Sequence, residues 1–196
     1  MDNSNAKFEN FLKPESLQQN LMIASVFIAV YENFRSDIID KVKYFYCKGF
    51  IDGKELLDDY EKEVLSKVSS KENRQIKATL LWLVDAGAID EDDKSTFKNL
   101  TDMRNLLSHN MTNMLFEGFP DNILELYVEM LKLFEKTTKW WIAEIEIPTN
   151  PDITKEQYDS INWDDITSVN LEFIKIMTDI AMTGTDKYLK IFKQEG

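Results

Sequence analysis

The stretch "LLWLVDAGAIDEDDKSTFKNLTDMRNLLSH", Leu80 to His109, has the pattern of two helices joined by a tight turn. Apolar residues recur at intervals of three and four on both sides of the central "DAGAIDEDD". Gly87 predicts a left-handed helix end, and Asp90 predicts the cap of the next helix. Acids in a first helical turn also suit the helix dipole, which gives the cluster from Asp85 to Asp93 a structural explanation. The stretch therefore predicts a helical hairpin.

The rest of the chain carries the same helical spacing. Its 196 residues include only 6 Gly and 4 Pro, and no stretch shows the alternation typical of a strand. We therefore expect an all-α fold, an antiparallel helical bundle. The predicted helices run from about Pro14 to Cys47, from Lys54 to Lys67, through "NRQIKATLLWLVDAG", through "KSTFKNLTDMRNLLSH" to an end near His109, from Asn122 to about Glu146, and from about Trp163 to Gln194.

The segment "IPTNPDIT" interrupts the helical pattern with Pro148 and Pro151. It predicts a division into a helical domain of residues 1–147 and a C-terminal helical extension of residues 148–196 that packs on the same core. The apolar face of the last helix is expected to hold Ile166, Val169, Phe173, Ile176 and Ile180.

Composition narrows the classes of function. The net charge is −12, which argues against strong non-specific binding to nucleic acid, because that attraction needs Lys and Arg opposite phosphates. The longest apolar run, "LMIASVFIAVY", has eleven residues, too few for a bilayer span of about 20. The start of the chain has no secretory pattern, and the one cysteine, Cys47, suits a reducing compartment. We expect an acidic cytoplasmic protein with no membrane association.

His109 is the one histidine of the chain. At 100° per residue, Leu100, Met103 and Leu107 form a core stripe, and Asp102, Asn105 and His109 form a second stripe roughly opposite. Arg104 lies about 140° from His109 on an ideal helix. The two side chains could still converge at a frayed helix end, or across a dimer in which two copies of the helix face each other.

Arg104 and His109 together would suit chemistry on RNA. Imidazole can take or give a proton near neutral pH, and guanidinium can hold a phosphate through two hydrogen bonds. A structural interpretation stays open beside this one. Arg104 could bind carbonyls at the helix end or pair with an acid, and the helix dipole could favour His109 at a C-terminus.

The residues "RNLLSH", Arg104 to His109, resemble the R-x4-6-H motif of HEPN domains. The long first helix and the helical hairpin that leads into the motif are similar to that family, over about Leu17 to Leu133. The resemblance implies a bundle of the HEPN type and a metal-independent endoribonuclease of a toxin and antitoxin pair or a phage-defence system. It also implies a homodimer that needs no cofactor or metal, with an antitoxin or regulatory protein as partner. Arg104 would hold the scissile phosphate, His109 would act on the ribose 2′-hydroxyl or the leaving oxygen, and Asn105 would orient them.

The chain is also similar to mannitol-repressor-like helical regulators, which share a "G-x-I" turn followed by R-x4-H. That similarity implies the alternative, a non-catalytic regulator or protein-interaction module. Other groups have simpler explanations. Cys47 is expected to be a buried structural thiol, the "DEDD" acids to be helix caps rather than metal ligands, and Trp140 and Trp141 to be core or interface residues.

Overall fold

The computed structural model of the chain describes residues 7–9, 11–185, 187–188 and 190–191. It is an all-α fold, as expected, with one small β-hairpin. The elements are α1 (Pro14–Phe45), β1 (Phe50–Ile51), β2 (Lys54–Glu55), α2 (Asp58–Glu63), α3 (Arg74–Asp85), α4 (Glu91–Glu117), α5 (Ile123–Trp141), α6 (Ile147–Thr149), α7 (Lys155–Asp159) and α8 (Val169–Thr183), with 3₁₀ turns at Leu65–Lys67 and Trp163–Asp165 and a π-helical turn at Ile142–Glu146.

Three aromatic side chains hold α1, α4 and α5 together at the centre of the core. Phe34 of α1 stacks on Phe134 of α5 with ring centroids 4.6 Å apart and meets Phe97 of α4 edge-on at 5.5 Å. All three rings are buried. Such pairs add about 0.5–1.5 kcal/mol beyond the apolar area that they remove from water. The cluster fixes how α4 is rotated about its own axis.

The turn between α3 and α4 forms as the sequence predicts. Gly87 adopts a φ of 76°, which lets α3 end in a left-handed turn. Asp90 Oδ1 accepts the backbone N–H of Asp93 at 2.9 Å, and Asp93 Oδ2 accepts the N–H of Asp90 at 3.0 Å, so the two form a capping box. The Asp93 N–H, aided by Lys136 of α5, holds the pKa of the Asp90 carboxyl below its usual value. The cap is therefore charged at neutral pH.

The second predicted helix, Lys54 to Lys67, is wrong over its first residues. Lys54 and Glu55 instead pair with Phe50 and Ile51 as an antiparallel hairpin, whose turn has φ values of 50° at Asp52 and 73° at Gly53. An Asp-Gly pair with both φ positive is typical of a tight hairpin turn. The stretch "FIDGKE" carries this Asp-Gly turn signal between two stretches with helical periodicity.

The first helix begins where the sequence predicts, and the last helix does not. α1 begins at Pro14. α8 begins at Val169 rather than near Trp163, and it ends at Thr183, followed by Gly184 with a φ of 66°. The predicted end near Gln194 lies outside the described residues.

The apolar face assigned to the last helix is wrong. Leu171 and Ile174 are the buried residues of α8, and they belong to the same core cluster as α1 and α5. The hydroxyl of Tyr127 on α5 donates to Thr178 Oγ1 at 2.5 Å, because the Thr178 hydroxyl itself donates to a carbonyl of α8. This hydrogen bond fixes the orientation of α8. Val169 and Phe173 consequently lie on the surface, 89% and 67% exposed.

Replacement of Phe34 by alanine should destabilise the protein by about 3–5 kcal/mol, because it leaves a cavity between three helices. Urea unfolding followed by circular dichroism, at one fixed protein concentration, measures this change. Phe50→Ala is the matched control, since Phe50 is 66% exposed and its loss should change stability by less than about 0.5 kcal/mol. A Phe34→Ala loss as small as the control's would contradict the central role of the cluster.

Candidate functional site

The helix that carries the motif does not end at His109. α4 continues to Glu117, with a kink at Asn110, where φ is −128° and ψ is 21°. The segment predicted as a loop, "NMTNMLFEGFPDN", is therefore helical as far as Glu117, and only residues 118–122 connect α4 to α5. Met114 on this continuation is buried against the core, which explains why the helix resumes after the kink.

The two stripes of α4 face as the sequence predicts. Leu100, Met103 and Leu107 are buried, and Asp102, Asn105 and His109 are exposed. A polar row that the core does not use is available to solvent or to a partner. The exposure follows from the Phe97 contact with Phe34, since that contact turns the opposite side of α4 outward.

Arg104 lies at the junction of α4 and α1. Its Nη2 forms an ion pair with Oε1 of Glu32 on α1, and its Nη1 donates to Asn105 Oδ1 at 3.1 Å. Its Nε–H is buried and has no acceptor among the described residues. The guanidinium is therefore neutralised by a carboxylate and keeps unused hydrogen-bonding capacity. Glu32 was missed by sequence analysis, because nothing local in the sequence links it to a residue 72 positions later.

His109 lines a different part of the surface. Its groove, of about 550 Å³, includes Phe11, Asn113 and Phe116, and no Lys or Arg lines it. One wall comes from the start of the chain, where the rings of Phe8 and Phe11 lie about 6 Å from the ring of Phe116. No pattern in the sequence predicts a role for this N-terminal segment. Packing against the end of α4 gives it one, as a wall of the histidine groove.

Within one chain, the structure does not bring Arg104 and His109 together. The irregular backbone lies at Asn110, after both residues, so the helix between them is regular and the separation of about 140° holds. A frayed helix end therefore does not unite the pair. Asn105 lies between the two residues, since it contacts Arg104 and lies one helical turn before His109. A composite site requires a second chain.

An acidic groove lies on the other side of Glu32. It has a volume of about 730 Å³, and its lining includes Glu32, Asp37 and Asp40. Lys41 also lines it, but its Nζ pairs with Asp37 Oδ2 at 2.8 Å. A polyanion would be repelled from this groove, so any nucleic acid that reaches Arg104 must approach over α4.

The other residues that the sequence singled out, Cys47, Trp140 and Trp141, make structural contacts. The Cys47 thiol is partly buried and donates to the carbonyl of Gly49 at 3.4 Å. Trp141 is buried, and with Trp140 it packs against Trp82 of α3 at about 6 Å between ring centroids. Trp82 in turn donates its Nε1–H to the Tyr46 hydroxyl at 2.9 Å. These aromatic residues belong to the packing between helices.

Among the described residues, no group of three or more potential metal-binding side chains lies close enough together to hold an ion. No helix in the described part of the chain combines the length and the apolar character needed to cross a bilayer. Comparison of the chain with family models, with curated proteins and with solved structures found no match. Its function has to be argued from its own geometry.

The side chains of Arg104 and Glu32 are 32% and 38% exposed, so solvent weakens the ion pair, and we expect a coupling energy of about 0.5–1 kcal/mol. A double-mutant cycle with Glu32→Gln and Arg104→Gln, measured by urea unfolding, tests this value. The surface pair Lys175–Glu172 supplies a matched cycle. A coupling above about 3 kcal/mol would mean that Arg104 is a fixed structural element and cannot exchange Glu32 for a ligand.

Proposed function

We propose that the protein is a metal-independent endoribonuclease of the HEPN type that acts as a homodimer, with Arg104 and Asn105 of one protomer and the partner subunit's His109 forming each site. The observation that carries the proposal is the outward face of α4. The chain's single imidazole is exposed there one helical turn from Asn105, which contacts a guanidinium held by one exchangeable ion pair.

RNA cleavage needs one group that binds the phosphate and one that removes a proton, and these residues can fill both roles. Arg104 exchanges Glu32 for the scissile phosphate and offers it two charge-assisted hydrogen bonds, including one from the unused Nε–H. The partner subunit's His109 accepts the proton of the ribose 2′-hydroxyl, whose oxygen attacks the phosphorus. The 5′-oxygen of the next nucleotide leaves and takes a proton from water. The product is a 2′,3′-cyclic phosphate, and no step uses a metal.

The geometry supports a second copy as the source of the histidine. A regular helix keeps Arg104 and His109 of one chain on different sides, so a histidine that meets Arg104 has to come from a second chain. Leu106 lies beside the outward stripe of α4 and is 39% exposed, so a facing helix would cover an apolar side chain at the edge of the contact.

We expect RNA cleavage that persists in EDTA and is lost in His109→Ala and in Arg104→Ala. Labelled single-stranded RNA, analysed on a gel and by mass spectrometry for the cyclic phosphate, gives the measurement. Asn99→Ala is the matched control, because Asn99 is an exposed residue of the same helix outside the motif. Cleavage unchanged by His109→Ala would contradict the assigned chemistry.

Mixing the two inactive variants tests the composite site directly. If each site takes its arginine from one protomer and its histidine from the other, a heterodimer of Arg104→Ala and His109→Ala keeps one intact site of two. Random exchange makes half of the dimers heterodimers, so about a quarter of the wild-type activity should return. An equal mixture that stays inactive, although subunit exchange is shown by mass spectrometry, would exclude the shared site.

The alternative is a non-catalytic regulator that acts through a protein partner. The observation that favours it is the outer face of α8, where Val169, Phe173 and Ile180 form an exposed apolar stripe, with Phe173 one turn after Val169 and Ile180 two turns after Phe173. This function predicts a folded chain without RNA cleavage and a partner protein whose binding is lost in Phe173→Asp. A nuclease activity that depends on His109 and is unaffected by Phe173→Asp would decide against it.

A further inference from the structure

A small pocket between α1, α3 and α4 gathers positive charge in an acidic protein. Its cationic side chains are Arg35 of α1, Lys77 of α3, and Lys94 and Lys98 of α4, and no Asp or Glu lines it. Lys94 pairs with Glu91 at 2.6 Å, but Arg35, Lys77 and Lys98 have no ion-pair partner among the described residues. Because like charges repel, such a cluster is relieved by an anion.

The inner wall of the pocket is apolar and aromatic. Ile76, Leu80 and Phe97 line it together with Tyr31, whose ring lies 5.7 Å from the ring of Phe97. The volume is about 160 Å³. An apolar cavity of about 150 Å³ holds one benzene ring, so this pocket has the volume of a single aromatic ring.

Tyr31 also offers a hydrogen-bond acceptor at the pocket wall. Thr101 Oγ1 donates to the carbonyl of Phe97 at 2.9 Å, so the Tyr31 hydroxyl must donate to Thr101 Oγ1, from which it lies 2.8 Å away. The lone pairs of the Tyr31 oxygen are left to accept a hydrogen bond from a ligand. Burial raises the pKa of Tyr31, which keeps this hydroxyl protonated at neutral pH.

The start of α3 adds to the positive potential. Asn73, which lines the pocket, precedes α3 with a φ of 52°, and its side chain makes no capping bond to the helix. The first turn of α3 holds no acidic residue. The positive end of a helix dipole without a capping acid therefore lies beside the four cations.

We propose that this pocket binds one pyrimidine nucleotide, with the ring against the apolar wall and the phosphate among Arg35, Lys77, Lys94 and Lys98. A bare anion would use only the cationic rim, and an uncharged ring only the wall. A nucleotide matches both parts, and the pocket volume is closer to that of a single ring than to that of a purine. The nucleotide can be free or part of an RNA strand. This assignment is independent of nuclease activity and uses neither Arg104 nor His109.

Isothermal titration of the full chain with uridine monophosphate, guanosine monophosphate, uridine, inorganic phosphate and a short oligouridine tests the proposal. Saturable binding of uridine monophosphate, tighter than that of the other three small molecules, is expected and assigns a free nucleotide. Saturable binding of the oligouridine alone assigns the nucleotide to an RNA strand. Absence of saturable binding by both, or equal binding of inorganic phosphate or of guanosine monophosphate, overturns the proposal.

Substitutions of the pocket lysines test whether the ligand binds in this pocket. Lys98→Gln and Lys77→Gln should each weaken the bound pyrimidine ligand about tenfold, since each removes one charged partner of the phosphate. Lys54→Gln is the matched control, an exposed lysine of the β-hairpin that should leave binding unchanged. His109→Ala should also bind normally, so a failure of the nuclease proposal is separate from a failure of this one. Equal loss in Lys54→Gln and Lys98→Gln would show non-specific charge attraction and refute the pocket.

Discussion

The packing of Phe34 between Phe97 and Phe134 is the constraint on which the rest of the structure depends. It joins the three long helices at one point and sets the rotation of α4. Once Phe97 faces inward, helical geometry buries Leu100, Met103 and Leu107 and turns Asn105 and His109 to the surface. The candidate site is thus the outer face of a helix whose inner face is held by aromatic packing.

Charge is distributed unevenly over this framework. Many of the acids have local partners: Asp90 and Asp93 cap α4 and bind Lys136, and Asp37 pairs with Lys41. Positive groups without such partners gather where α1, α3 and α4 meet. Burial raises the pKa of the Tyr31 hydroxyl there, and the positive charges of Arg35 and Arg104 act in the opposite direction. A strongly acidic protein can therefore present a local surface that attracts phosphate, because the net charge says little about a single cleft.

Segments at both ends of the chain complete the surfaces around the core. Phe8 and Phe11 cover the end of α4 beyond its kink and form a wall of the groove that holds His109. α8 packs on the core through Leu171 and Ile174. Its sequence is apolar on more than one side, so periodicity alone could not choose between the stripe of Val169 and Phe173 and the stripe of Leu171 and Ile174. The hydrogen bond from Tyr127 to Thr178 and the shape of the core made that choice.

The sequence by itself determined the all-α class, the Gly87 turn with its Asp90 cap, and the division of α4 into a buried stripe and an exposed one. These features depend on interactions within a few residues, which periodicity and capping chemistry describe well. The motif residues were also visible in the sequence as Arg104, Asn105 and His109. Their environment was not. Only the tertiary structure placed Glu32 against Arg104, continued α4 past the kink at Asn110, and brought Arg35 and Lys77 beside Lys98. Each of these depends on side chains that are distant along the chain and meet only when helices pack.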